Sequence, residues 1–273
     1  MSERNGFEHG VPCWVDTWQD DADAAARFYS GIFGWEIEDT RPPGSGERYL
    51  ICRVRDRDVA AIGSPIPEGA PPTAVWTTYV RVDEADDAAT RAEEAGGRLV
   101  IEPFDSLDGG RMSVLADPEG AVLVAWTPGE HSGAQLVDEP GAWSMSALNT
   151  RDPEPAKRFY GAVFGWETEA FDAGGGEAEL FRLPGFVGGE PTQPVPRDVV
   201  AVMVEMDSHG MPKELPPHWS VDFWIDDTDA AVAKVGDLGG KVAMEPVDAP
   251  PFRRAAIVDP GGAAMTISQL KLG

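Results

Sequence analysis

Four runs of alternating residues carry the side chains best suited to chemistry. In Val11–Gln19 (VPCWVDTWQ), Trp14, Asp16 and Trp18 are spaced by two, so in a strand they project from one face. Two indoles flanking a carboxylate can sandwich a flat or cationic molecule while the carboxylate fixes a donor or removes a proton. Trp219–Ile225 repeats the theme with Ser220, Asp222 and Trp224, while Val75–Val82 offers Thr77, Tyr79 and Arg81 and Trp143–Asn149 offers Met145, Ala147 and Asn149. A carboxyl group among aromatic walls loses hydration, which disfavours its charged form and moves it toward the range useful for general base work. Asp16 and Asp222 are therefore the candidate catalytic groups. The alternative is that Trp14, Trp18 and Trp224 fill the space as core, with both carboxylates bonded to backbone NH groups.

The elements that must position these runs are legible because the chain contains them twice. Asp21–Glu36 (DADAAARFYSGIFGWE) and Asp152–Glu167 (DPEPAKRFYGAVFGWE) align at one offset, 152 − 21 = 131. Each reads as a helix. Asp21 and Asp152 are N-caps, Pro153 suits the first helical position, and apolar residues recur at helical spacing. Gly34 and Gly165 end the helices, and Trp35 and Trp166 open strands.

In chain order, the Val11–Gln19 strand and first helix are followed by strands at Trp35–Thr40, Arg48–Arg55 and Val59–Gly63. After a loop at Ser64–Thr73 come a strand at Val75–Val82, a helix at Glu84–Ala95 stopped by Gly96-Gly97, and strands at Arg98–Phe104, Arg111–Ala116 and Ala121–Trp126. The second half retraces this, with helices at Asp152–Phe164 and Thr228–Leu238, the latter stopped by Gly239-Gly240. Asp117-Pro118-Glu119-Gly120 corresponds to Asp259-Pro260-Gly261-Gly262. The chain therefore reads as α+β, with four βαβββ modules in two tandem domains. The first domain spans 1–127 (modules 11–63 and 73–127), a polar Gly/Pro-containing linker 128–141, and the second domain 142–273 (modules 142–206 and 218–270).

Composition narrows the function classes. With 273 residues and 42% hydrophobic residues the chain can bury two ordinary cores, and disorder is suggested only within the first ten residues. The formal charge of −25 disfavours nucleic acid and anionic membrane surfaces, and no basic patch offsets it. No apolar run reaches bilayer length and no secretory signal is present, so a cytoplasmic protein is expected. Cys13 and Cys52 are expected to pack as reduced hydrophobes. His9, His131, His209 and His218 fall in the N-terminal tail or in loops, without ligand spacing, and are expected to be solvated. Gly174-Gly175-Gly176 lacks a following lysine or helix start and reads as a hairpin rather than a phosphate cradle.

Paired βαβββ modules, the FYxxxFGW helix end and the GG and DPxGA signatures together resemble the vicinal oxygen chelate superfamily, which includes glyoxalase I, bleomycin-resistance proteins and extradiol dioxygenases. More narrowly the chain resembles tandem glyoxalase-like proteins of actinobacteria, often labelled hydroxylases. The resemblance implies that paired modules curl into U-shaped clefts, and that metal-dependent members hold one divalent ion with residues from the first and last strands of each module. Those positions fall here on Trp14, Thr77 and Val124, and on Met145, Ser220 and Thr266. None is a strong metal ligand, so no metal and no cofactor are expected. The resemblance fixes the fold better than the function, because the scaffold hosts several chemistries.

The leading expectation is a metal-independent protein holding a small aromatic metabolite or natural product in one or both clefts, lined by Trp14, Trp18, Thr77, Tyr79, Arg81, Val124, Met145, Asn149, Ser220, Trp224 and Thr266. The alternative is an enzyme using Asp16 or Asp222 as acid/base in isomerisation, hydration or ring opening, with a metal-dependent lyase or dioxygenase third. If the first module pairs with the fourth, Asp16 and Asp222 share a cavity; if it pairs with the second, Asp16 faces Arg81 and is ionised. Monomer and homodimer are both compatible with the duplication. Arg111 and Arg253 occupy equivalent places, which favours a scaffold role.

Overall fold

A computed structural model describes residues 3–42, 44, 46–67, 73–106, 109–172, 177–188 and 196–271. The Gly174–Gly176 hairpin lies outside the described residues. The first half runs β1 (Pro12–Trp18), α1 (Ala22–Phe33), β2 (Glu36–Asp39), β3 (Arg48–Val54), β4 (Arg57–Ser64), β5 (Trp76–Arg81), α2 (Ala85–Glu94), β6 (Arg98–Ser106), β7 (Gly110–Ala116) and β8 (Val122–Pro128). The second repeats it as β9 (Trp143–Thr150), α3 (Pro153–Phe164), β10 (Glu167–Asp172), β11 (Glu177–Arg182), β12 (Val199–Glu205), β13 (His218–Trp224), α4 (Thr228–Val235), β14 (Lys241–Ala249), β15 (Phe252–Val258) and β16 (Ala264–Leu270).

Local chemistry explains the boundaries. Asp21 accepts from the Ala24 backbone NH and Asp152 from that of Glu154, so each carboxylate satisfies a free donor of its helix. Gly34 (φ 71°) and Gly165 (φ 78°) adopt the left-handed conformation that closes α1 and α3. α4 ends three residues before the expected Leu238. The Gly240 NH bonds back to the Val235 carbonyl, as Gly97 does to Ala92, so a glycine-rich closing turn replaces the last helical residues.

Two eight-stranded sheets result, ordered β2-β3-β4-β1-β5-β8-β7-β6 and β10-β11-β12-β9-β13-β16-β15-β14. Adjacent modules thus share a sheet, with β1 antiparallel to β5 and β9 antiparallel to β13. Asp16 and Asp222 accordingly lie on different sheets, not on one sheet shared by the first and fourth modules.

The helices pack across the halves, α1 on α4 and α2 on α3. Two reciprocal pairs of hydrogen bonds tie them. The Tyr29 hydroxyl donates to Asp259 (2.7 Å) and that of Tyr160 to Asp117 (3.0 Å), while the Trp35 indole donates to the Gly141 carbonyl and that of Trp166 to the Gly10 carbonyl. The duplicated FY and GW pairs therefore each reach from one half into the other, and burial of all four rings makes the junction part of the core. Thr78 and Ser146 hydroxyls, 2.7 Å apart, join the buried backs of β5 and β9. The N-terminal segment is ordered as well, since Glu3 bridges Leu136 and Gly10 bonds to Arg81. Cys13 and Cys52 are free and buried. No helix among the described residues is long and apolar enough to cross a membrane.

Candidate functional site

In each half, strand register decides which side chains share a face with the residues named from sequence, and that face is the candidate cleft. In the first half, one row runs Ile51–Ala61–Asp16–Thr77, a second Tyr49–Gly63–Trp18, a third Trp14–Tyr79–Val124–Val114, and a fourth Arg81–Trp126–Met112. Asp16 is 1% exposed. Its Oδ2 accepts from the Tyr79 hydroxyl at 2.7 Å and the Tyr49 hydroxyl at 3.2 Å, and the Trp14 indole donates to Tyr49 at 3.1 Å. Its Oδ1 is buried with no hydrogen-bond partner among the described residues. Burial pushes the Asp16 carboxyl up to about 7, against the opposing pull of Tyr79, Tyr49 and the Trp18 indole.

Trp18 is partly exposed and lies over Gly63, where a β-carbon would meet its ring at 2.4 Å. The missing side chain is what lets the indole fold onto the sheet. Trp14 is different, being 2% exposed beneath the linker. His131 packs edge-on against Trp14 (4.5 Å between ring centres) and stacks on Trp126 (5.7 Å), and desolvation lowers its pKa against the opposing field of Asp58. Two expectations are corrected here. His131 is only partly exposed, because its ring packs on Trp14 and Trp126 of the aromatic wall. Trp14 and Trp18 do not flank Asp16 as a sandwich, because the first is floor and only the second is wall.

Arg81 is also corrected. It ion-pairs with Asp83 beyond the strand end, so Asp16 faces Tyr79 rather than a guanidinium and is not held ionised. Val124 lies buried beside Tyr79, and Thr77 is partly exposed.

The second cleft has the same frame and different contents. Its rows run Leu180–Val202–Ala147–Ser220, Met145–Asp222–Thr266–Ala256 and Trp224–Ser268–Arg254. Asp222 thus occupies the place of Tyr79, Ser268 that of Trp126, Arg254 that of Met112, and Ala147 that of Asp16. The Asp222 carboxylate accepts from Ser268 (2.6 Å) and Ser144 (3.1 Å), and burial pushes it up to about 6 while the field of Arg254 pulls it down. Asn149 is buried and donates to Ser220 at 3.0 Å, whereas Met145, Ser220, Trp224 and Thr266 remain partly exposed. Arg111 and Arg253 take the scaffold role, pairing with Asp86 and Asp105 and with Asp229 and Asp248 respectively.

Tyr49, Trp126, His131, Phe252 and Arg254 were missed by sequence reasoning. Trp126 could have been found, since it stands two residues beyond Val124 on the same strand face. Arg254 alternates with Arg253, whose pairing with α4 turns Arg254 toward the cleft.

The positions implied for a divalent ion carry an indole, two threonine hydroxyls, a serine hydroxyl, a thioether and an isopropyl group. Asp16 and Asp222 each stand alone, and no cluster of three or more His, Cys, Asp or Glu suited to a metal occurs among the described residues. That donor set does not fit the ion of metal-dependent relatives.

Comparison with known proteins agrees with the frame. Residues 14–124 match the Glyoxalase/Bleomycin resistance protein/Dioxygenase superfamily and residues 145–268 a Glyoxalase-like domain. "Putative glyoxylase CFP32" of Mycobacterium tuberculosis is 35% identical over 98% of this chain and 97% of its own. The "Anthracycline biosynthesis protein DnrV" of Streptomyces peucetius is 34% identical over 98% and 96%. Among solved structures, the Mn(II)-bound glyoxalase of Novosphingobium aromaticivorans aligns with TM-score 0.62 at 14% identity, covering 97% of this chain and 83% of that one. The 2,3-dioxygenase LapB of Pseudomonas sp. KL28 aligns with TM-score 0.60 at 14% identity, covering 97% and 94%. The chain belongs to the glyoxalase/bleomycin resistance protein/dioxygenase superfamily, of which it carries two tandem domains.

Proposed function

We propose that this protein holds a small aromatic metabolite or natural product in its clefts without a metal ion. The observation that carries the reading is Asp16, a buried carboxyl fixed on one oxygen by Tyr49 and Tyr79 and unpartnered on the other. Near neutral pH it exists in both protonation states, so the free oxygen can donate to a ligand carbonyl or accept from a phenol. Trp18 and Tyr49, both partly exposed, are the side chains a ligand must displace to reach it. A fused-ring hydroxyquinone matches this pairing of flat apolar walls with one polar anchor, and the anthracycline biosynthesis relative supports that class of compound.

Titration with 1,4-dihydroxyanthraquinone, read by tryptophan fluorescence in excess EDTA, tests the reading. Saturable binding is expected, weakened about tenfold in Tyr79→Phe and in Asp16→Asn, the loss of roughly one strong hydrogen bond. Binding that disappears with EDTA and returns with Mn(II), or no saturable binding, contradicts it. A second reading is favoured by the position of the Asp16 carboxyl near neutrality, where it suits general acid/base work. On that reading the bound compound is recovered altered, and Asp16→Asn abolishes the change while retaining affinity.

A further inference from the structure

We infer that the second cleft selects an anionic ligand, an aromatic carboxylate, through Arg254. The inference rests on the reading that the clefts hold aromatic ligands, and adds a charge requirement to one of them. Arg254 stands on the cleft face of β15, opposite Ser268, whose hydroxyl bonds Asp222. Its neighbour Arg253 points the other way, to Asp229 and Asp248. The two arginines have opposite fates. Arg253 is saturated with carboxylates, whereas among the described residues Arg254 forms no hydrogen bond and no ion pair, and its Nε is buried without a partner.

A buried guanidinium nitrogen left unpaired is costly, and a protein of net charge −25 has acidic side chains in excess to pair it. Asp222 is close enough for its pKa to feel Arg254, yet its two oxygens are directed to Ser268 and Ser144. The guanidinium carbon lies 5.1 Å from the ring centre of Phe252, which in turn stands 5.8 Å from Trp224. A cation over one ring and beside a second, partly exposed indole gives a planar acid both an ionic anchor and apolar faces. In the first cleft Met112 holds the place of Arg254 and the buried polar anchor is the Asp16 carboxyl, while Arg41 lies 5.9 Å from the ring centre of Tyr49 on a neighbouring strand row. The duplication has thus produced two clefts with different polar anchors, a carboxyl in the first and a guanidinium beside a carboxyl in the second.

Isothermal titration of the full chain with 2-naphthoate and with its neutral analogue 2-naphthamide tests this. The acid is expected to bind about tenfold or more tighter than the amide, as a charge-assisted bond to guanidinium requires. Arg254→Met, which installs the first half's residue, is expected to erase that preference by weakening the acid far more than the amide. Arg254→Lys is expected to keep part of it, and added salt to weaken the acid alone. Equal affinity for acid and amide in the wild type, or a preference that survives Arg254→Met, overturns the role of Arg254 while leaving the aromatic cleft intact. Failure of both probes to bind overturns both. Retention of the far-ultraviolet spectrum and melting temperature by Arg254→Met separates a lost ligand contact from a lost fold.

Discussion

Asp259→Ala and Asp117→Ala are each expected to destabilise the protein by about 3–5 kcal/mol, the range for breaking a buried polar network. Asp259 accepts from Tyr29, Gln19 and the Ala263 NH, and Asp117 from Tyr160 and the NH groups of Glu119, Gly120 and Ala121. Truncation leaves a buried tyrosine hydroxyl without an acceptor and also releases a turn. Because each aspartate holds a helix of the other half, the loss should also separate the unfolding of the two halves, giving two transitions in urea where the wild type gives one. A loss below about 1 kcal/mol, or a single unchanged transition, contradicts the reciprocal tie. In sequence these DPxG aspartates stand out only as corresponding positions of a repeated motif. Their second role depends on which helix lies opposite, and the sequence contains no signal for that.

Asp16→Asn is expected to remove a specific part of the pH dependence of stability. The folded-state value of about 7 stands above the ordinary aspartate value of 3.8, so the native state binds the proton more tightly than the unfolded chain. For such a group the favourable contribution is complete below about pH 4, falls as pH rises, and is lost above about 7. The full change is on the order of 4 kcal/mol for a difference of this size. Asp222, at about 6, adds a smaller total change of the same sign, because its window ends one pH unit lower. Surface carboxylates such as Asp86 and Asp229, held low by their arginines, act in the opposite direction at more acid pH. Subtracting the Asp16→Asn unfolding curve from that of the wild type isolates the Asp16 contribution. A difference that is flat between pH 4 and 7 contradicts the buried neutral carboxyl.

Much of the fold was legible because the duplication checks itself. The FYxxxFGW helix ends, the glycine stops and the DPxG turns recur at matching places, and strand alternation then assigns faces. Alternation brought Trp14, Asp16, Trp18, Thr77 and Tyr79 to one surface, as the sheet does. Depth was not legible. Whether Trp14 lies on the floor or the wall depends on the linker, and His131 reads in sequence as one polar loop residue among several. Pairing was equally hidden, since a βαβββ module presents the same first strand whichever module it joins. Arg81 was placed opposite Asp16 by that route, and the short step to Asp83 at the strand end took it away. Tyr49 lies two strands from Asp16, on β3, where only the register of β3 with β4 and β1 brings it near.

A native mass spectrum of the protein, taken after exposure to a metabolite extract in the presence of excess EDTA, bears most directly on metal-free retention of an aromatic compound. The account predicts a metal-free chain carrying an organic adduct that is released with its mass unaltered, and that is diminished in Asp16→Asn. One stoichiometric divalent metal per chain, with the adduct lost when that metal is stripped, would contradict it.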